Sequence, residues 1–265
     1  MKMKLLKICY KIDANLFHCM GAKRYCSVCE SKVRYFLPLA QQYRQTILID
    51  GVGVEGYQKS ETLNIEDYLC PSCGASDRER LYALYLKNFL LKKYDSNNIS
   101  VVHFAPETAL KSFLNQMAFK EYRTADLMMK GVNDKVDLTN MNIYDEGRFD
   151  FFICSHMLEH IPDDIAAMKE LYRILKKGGE GILMVPIIDG LNHIYEDDSI
   201  QSEEERLINF GQEDHVRVYS KEGYLERLKS VGFFVEEYTQ KDFFDISFEQ
   251  VAVSEKSVLY VVRKN

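Results

Sequence analysis

No apolar stretch in this 265-residue chain approaches the length needed to cross a bilayer, so a membrane-spanning helix is not expected. Met1–Lys11 is basic and amphipathic, but it lacks a long apolar core followed by a small-residue cleavage site. A secretory leader is therefore not expected, and the chain reads as cytoplasmic. No internal repeat or low-complexity segment is visible, which excludes a solenoid or an array. Disorder is not indicated either, because apolar residues make up 46% of the chain. The length allows one large domain, or one domain with a small appendage. A net charge of -6 conceals an asymmetry: 15 Lys and Arg face 9 Asp and Glu over residues 1–94, against 19 and 31 over residues 95–265. The acidic body would repel nucleic-acid phosphates, so only the basic front could present an electrostatic footprint to them.

Four of the seven cysteines fall in two pairs, Cys26-Ser27-Val28-Cys29 and Cys70-Pro71-Ser72-Cys73-Gly74. A Cys-x-x-Cys turn aims two thiolates at one point, and two such turns complete the tetrahedral shell of a structural zinc. In a reducing compartment metal is the expected use of such pairs. The alternatives are unpaired buried thiols or a redox pair, and the strand–helix setting of a redox Cys-x-x-Cys is not seen here. The spacing leaves zinc or iron open. Cys9 and Cys19 have no partner at ligand spacing and read as core or surface thiols. Thr46–Gly53 reads as a strand entering a turn, so a hairpin or insertion separates the half sites. These features define a zinc-ribbon-like module over residues 1–76 and a second domain over 77–265.

The second domain opens with a helix over Asp77–Tyr94, where Leu81, Leu84, Tyr85, Phe89 and Lys92 recur at helical spacing after a cap at Ser76 or Asp77. Strands are predicted at Ile99–Phe104, Glu121–Ala125, Lys135–Asp137, Phe149–Cys154, Gly181–Val185, Phe233–Glu237 and Ser257–Val262. Helices are predicted at Glu107–Met117, Asp163–Lys177 (ending on Gly178-Gly179) and Ser220–Ser230. Such alternation predicts an α/β, Rossmann-like doubly wound sheet, mostly parallel, with the last two strands as an antiparallel edge hairpin. Ligands of such sheets bind at the carboxyl ends of the strands.

Polar residues collect at those ends. Phe149–Cys154 stops at Ser155-His156 and continues as Met157-Leu158-Glu159-His160-Ile161. Asp126 follows the second strand, where a carboxylate suits a vicinal diol, and Asp137 follows the third, where it could accept from an adenine amino group. Helix caps or solvated turns are the plainer readings of both. The first turn, Val101–Leu110, lacks the glycines that let backbone approach a nucleoside; Pro106 fixes the turn, Ala105 is small, and Glu107 could receive an ammonium group. Arg78 and Arg80 either reach the ligand's edge or face solvent. Asp189–Asp214 carries Glu196-Asp197-Asp198 and Glu203-Glu204-Glu205, and a helix near Ser202–Phe210 is read as a lid or a solvated helix.

The order of these pieces resembles the class I S-adenosylmethionine-dependent methyltransferases over about Ile99 to Val262. The resemblance rests on Asp126, Val136-Asp137-Leu138-Thr139, Phe149-Asp150, Ser155-His156-Met157-Leu158-Glu159-His160 and the stretch Leu171 to Gly179. It departs at the first motif, where the family's glycines align with Ala105, Glu107 and Ala109. A bacterial subset is more similar still, sharing the Cys-x-x-Cys front, His103-Phe104-Ala105-Pro106-Glu107 and Phe210-Gly211-Gln212-Glu213-Asp214-His215-Val216-Arg217. By this resemblance S-adenosyl-L-methionine lies across the strand ends. Phe104, Ala105, Pro106 and Glu107 meet its methionine end, Asp126 and Leu127 its ribose, Asp137 and Leu138 its adenine, and Ser155 and His156 flank the sulfonium. Cys26, Cys29, Cys70 and Cys73 hold Zn²⁺.

For a hydroxyl or acidic NH acceptor a general base helps, and His156, His160 and His215 are the candidates. His160 also reads as an orienting residue, and His215 as part of a surface ion cluster or a lid. The resulting expectation is O-methylation of a small-molecule acceptor, a sugar or natural-product hydroxyl. Two other functions fit the residues: methylation of ribosomal or transfer RNA presented by the basic front, and a non-catalytic methyltransferase-fold scaffold. Tyr25, Tyr35 and Tyr43 would serve the RNA reading or simply the core. Oligomeric state is not legible.

Overall fold

The computed structural model describes residues 23–41, 46–49, 52–54 and 59–265. Met1–Lys11, Cys9, Cys19, Tyr43 and the turn expected after Ile49 lie outside the described residues. Among the described residues, the front contains two short hairpins. β1 (Arg24–Tyr25) pairs antiparallel with β2 (Lys32–Val33) around the Cys26–Cys29 turn, and β3 (Ile47–Ile49) pairs with β4 (Val52–Val54) between the two half sites. The expected first helix is α1 (Asp77–Tyr85), continued through a π-wound turn, Leu86–Leu90, into Leu91–Lys93. Ser76 starts it with a capping box: its hydroxyl accepts from the Glu79 amide, while the Glu79 carboxylate accepts from the Ser76 amide.

The body alternates as the pattern predicts: β5 (Ser100–Phe104), α2 (Thr108–Leu114), β6 (Glu121–Ala125), β7 (Phe149–Ser155), α3 (Asp164–Ile174) and β8 (Leu175–Met184). Then follow β9 (Tyr195–Glu196), α4 (Glu203–Phe210), β10 (Arg217–Val218), α5 (Lys221–Val231), β11 (Phe234–Tyr238) and β12 (Leu259–Arg263). The central sheet has the order β11-β12-β8-β7-β5-β6. Its first four strands in sequence, β5 to β8, are parallel, while β12 runs antiparallel to both β8 and β11. The fold is therefore the Rossmann-like α/β sheet with an antiparallel edge pair. All of β5 is buried and β7 nearly so, as burial under helices on both faces requires. Among the described residues no helix is long and apolar enough to cross a membrane.

Three expectations need correction. Lys135–Asp137 is not a strand. Only single bridges form there, Ala125 with Asp134 and Asp137 with Asn140. Side chains take the place of the ladder: the Asn133 carbonyl oxygen accepts from the Thr124 amide, and Asp134 holds Arg123 in a two-pronged pair. Second, α3 ends at Ile174 rather than on the glycines, and Gly178-Gly179 lie inside β8, where the register against β7 shifts between Phe149 and Phe151. A Cβ on Gly179 would stand 2.9 Å from the Lys176 carbonyl oxygen and 3.0 Å from that of Asp150, so the strand closes only over glycine.

Third, Arg80 neither faces solvent nor reaches the strand edge. It is fully buried, and its guanidinium donates to the carbonyls of Asp67, Tyr68, Ala75, Val251 and Ala252 while lying over the Phe36 ring. Those carbonyls come from the front segment and from the connection between β11 and β12. The apolar residues of the front, Val28, Val33 and Phe36 among them, accordingly share one core with the sheet.

Candidate functional site

Two clusters of residues of the types that can ligate a metal, and one crevice, define the chemistry. In the front, the four cysteines converge, with Cys26 Sγ 3.8 Å from Cys73 Sγ and Cys29 Sγ 3.8 Å from Cys70 Sγ. Tetrahedral zinc with ~2.3 Å bonds to sulfur requires sulfurs about 3.8 Å apart, so the cluster has the dimensions of that ion.

The crevice follows from the strand order. The chain leaves β5 for β6 on one side and returns as β7 on the other, and this reversal opens a gap at the carboxyl ends. Two non-glycine residues sit at that gap in the left-handed backbone region, Ala105 (φ 43) after β5 and His156 (φ 53) after β7. Their amides donate to the carbonyls of Ala125 and Met184, which fixes these costly turns within the sheet. Phe104 and Pro106 are buried beneath the first turn. Glu107 is held by His103 Nε2 at 3.0 Å, whose Nδ1 in turn meets the Tyr122 hydroxyl at 3.0 Å. Burial works to raise the Glu107 carboxyl, but the bond from His103 and the charge of Arg78 outweigh it and hold it below its usual range. Arg78 Nε lies 3.7 Å from Glu107 Oε1, outside hydrogen-bond reach, and has no hydrogen-bond partner.

The strand-end aspartates shape their own loops. Asp126 Oδ1 accepts from the amides of Met128 and Met129, at 2.6 and 2.5 Å, leaving Leu127 and Met128 exposed. Asp137 Oδ1 accepts from the amide and hydroxyl of Thr139, and Leu138 is buried. Ser155 is buried and shares a hydrogen bond of 2.8 Å with the Tyr82 hydroxyl of α1.

Beyond His156 the second cluster gathers. His156 Nδ1 stands 3.5 Å from Glu159 Oε1, and burial with the nearby Arg78 charge pushes its pKa well down, keeping the ring neutral. Glu159 is buried without a hydrogen bond to either oxygen, and burial raises its carboxyl to about 8. His160 Nδ1 lies 3.2 Å from Asp214 Oδ2, and its ring meets that of His215 edge to face at 4.7 Å. Burial and the neighbouring His160 lower His215 to about 4. His156 also lines a cavity of about 400 Å³, together with Ser60, Thr62, Tyr68, Arg78 and Gln212.

The structure thus brings Ala105, Glu107, Ser155 and His156 around one gap, with His160 and His215 beyond His156, while Asp126 follows the end of β6 and its carbonyl accepts from the amide of Val136, next to Asp137. Sequence reasoning assigned no role to Glu159, Tyr82 or His103. Glu159 was legible in principle as the i+3 neighbour of His156, whereas Tyr82 and His103 carry no local signal because their partners are distant in sequence. The acidic helix α4 is fastened by Phe210, which packs with Ile47, Ile49, Ile188 and Val218 in a small second core.

Residues 37–238 match the family described as methyltransferase domain. No curated protein matches the chain. Among solved structures, a SAM-dependent methyltransferase from Archaeoglobus fulgidus is 12% identical over 72% of this chain and 95% of its own, with a TM-score of 0.44. An S-adenosylmethionine-dependent methyltransferase from Mesorhizobium loti is 10% identical over 68% of this chain and 98% of its own, with a TM-score of 0.42.

Proposed function

Because the chain belongs to the methyltransferase domain family, we propose that it is an S-adenosylmethionine-dependent methyltransferase that O-methylates a small-molecule acceptor, a sugar or natural-product hydroxyl. The observation that carries this reading is the pair Arg78 and Glu107 at the first turn. An orphaned guanidinium nitrogen and a carboxylate stand side by side at a strand end, a donor set that fits the carboxylate and ammonium of an amino-acid moiety. Ala105 leaves room for close approach, Asp126 with Leu127 serves the ribose, Asp137 with Leu138 serves the adenine, and Ser155 lies near the reacting centre. The bound donor supplies an electrophilic methyl group on sulfur.

The chain's own part is to hold the acceptor in line, exclude water and take up a proton. A neutral His156 ring faces the cavity and is the base, with His160 and His215 completing the polar wall behind it. The cavity's volume of about 400 Å³ suits a small acceptor. Residues 1–76 are a zinc-ribbon-like module in which Cys26, Cys29, Cys70 and Cys73 hold a structural Zn²⁺, and residues 77–265 form the methyltransferase domain.

Calorimetry with S-adenosylmethionine and its demethylated product tests this. Binding in the micromolar range is expected, with Glu107→Gln and Asp126→Ala each weakening it about tenfold or more, a loss of ~1.4 kcal/mol. No heat at millimolar ligand would end the reading. Labelled methyl transfer into a metabolite extract then identifies the acceptor.

A further inference from the structure

A buried carboxyl group whose oxygens accept no hydrogen bond is costly, and Glu159 is one, with only the His156 ring at 3.5 Å facing it as an ion-pair neighbour among the described residues. Its residue is 1% exposed, neither oxygen has a hydrogen-bond partner, and among the described residues no lysine or arginine pairs with it. Arg217, whose charge acts on Glu159, is already committed to the carbonyls of Leu158, Ile161 and Pro162 and to the Glu196 carboxylate. Across from Glu159 lies a second unsatisfied group. His215 is 2% exposed, its Nδ1 stands 3.3 Å from the Phe210 carbonyl oxygen, and its Nε2 has no partner. A ring whose Nδ1–H donates to a carbonyl carries its lone pair on Nε2, which is the arrangement of a histidine ready to ligate a metal.

His160 completes the group, with its Nδ1 held by Asp214 in the manner of a carboxylate supporting a ligand imidazole. One ligand atom from each of Glu159, His160 and His215 lies within 4.8 Å of the others. The two contributing segments are clamped together, because the Val216 amide donates to the Glu159 carbonyl at 2.9 Å and Arg217 ties down the turn that carries Glu159 and His160.

We propose that Glu159, His160 and His215 form a divalent-cation site, separate from the four cysteines and adjoining the cavity through His156. Two imidazoles and one carboxylate suit Mn²⁺, Fe²⁺, Co²⁺ or Zn²⁺, and three protein ligands leave coordination positions open. The cation removes the cost of the lone carboxylate and satisfies the orphaned nitrogen together. On the reading of the chain as an O-methyltransferase, an open position takes the acceptor's oxygen. An alcohol is a very weak acid, and coordination of its oxygen would lower its pKa and so ease loss of its proton.

The test uses the full chain with its cysteine site filled by Zn²⁺. Mn²⁺ is titrated in, free ion is followed by electron paramagnetic resonance, and water on bound ion is followed by proton relaxation. One Mn²⁺ per chain with enhanced relaxation is expected, and Glu159→Gln and His215→Ala should each weaken it about tenfold or more with far-ultraviolet circular dichroism preserved. Should either buried substitution unfold the protein, His160→Gln, on a half-exposed ring, gives the same reading. No bound Mn²⁺, or affinity unchanged in these variants, overturns the site. The measurement contains no S-adenosylmethionine, so its failure is distinct from failure of cofactor binding in calorimetry.

Discussion

Replacing Arg80 with methionine should unfasten the four-cysteine module from the sheet. The side chain is fully buried and donates to five carbonyls, three of them in wholly buried bonds, those of Ala75, Val251 and Ala252. The Asp67 and Tyr68 carbonyls lie nearer the surface and can be rehydrated after the change. Three stranded buried acceptors at about 1–1.5 kcal/mol each give a loss of about 3–5 kcal/mol. Methionine keeps part of the packing on Phe36 but supplies no donor, and lysine cannot present a planar fork to five acceptors, so Arg80→Lys should recover little. In a protein of this size the loss corresponds to a fall in Tm of about 10 °C. Thermal and urea unfolding measure it, and with both proteins first loaded with zinc a metallochromic dye should report faster zinc release from the variant. A loss under about 1 kcal/mol, with zinc release unchanged, would refute the reasoning, because it would mean that the five bonds are replaceable by water.

Gly181→Ala should destabilise by about 1–3 kcal/mol, since its Cβ would fall 2.4 Å from the Phe152 ring and force the sheet apart; a normal urea midpoint would count against that packing. Glu107 gives a pH signature. Burial opposes its ionisation, but the bond from His103 and the charge of Arg78 prevail and depress its carboxyl below the reference value of 4.5. A depressed acid contributes stability that is present above its unfolded pKa and lost as pH falls through the folded value, so Glu107→Gln should flatten the acid limb of stability against pH. Parallel limbs for the two proteins would contradict the sign.

Much of the candidate site could be read from the chain because its residues lie in short contiguous runs. Ser155 to His160 and Ala105 to Glu107 each follow a strand whose apolar run ends in the sequence itself, so their place at the carboxyl edge follows from the alternation. The third strand misled because Asn133, Asp134 and Asp137 bond to nearby backbone and side chains, a preference that outweighs the weak strand character of Lys135-Val136. The Gly178-Gly179 pair misled in the same way, since a helix stop and a strand bulge use glycine alike.

Periodicity and spacing by themselves determined the α/β class, the antiparallel edge and the two cysteine pairs, because these depend on residues close in sequence. Only the tertiary structure decided that Arg80 is a buried clasp, that His103 braces Glu107, and that His215 meets Glu159 and His160. Each of those facts is set by burial and by partners far apart along the chain. Whether a polar side chain faces water or a buried partner is a property of the packed interior, which no local pattern encodes.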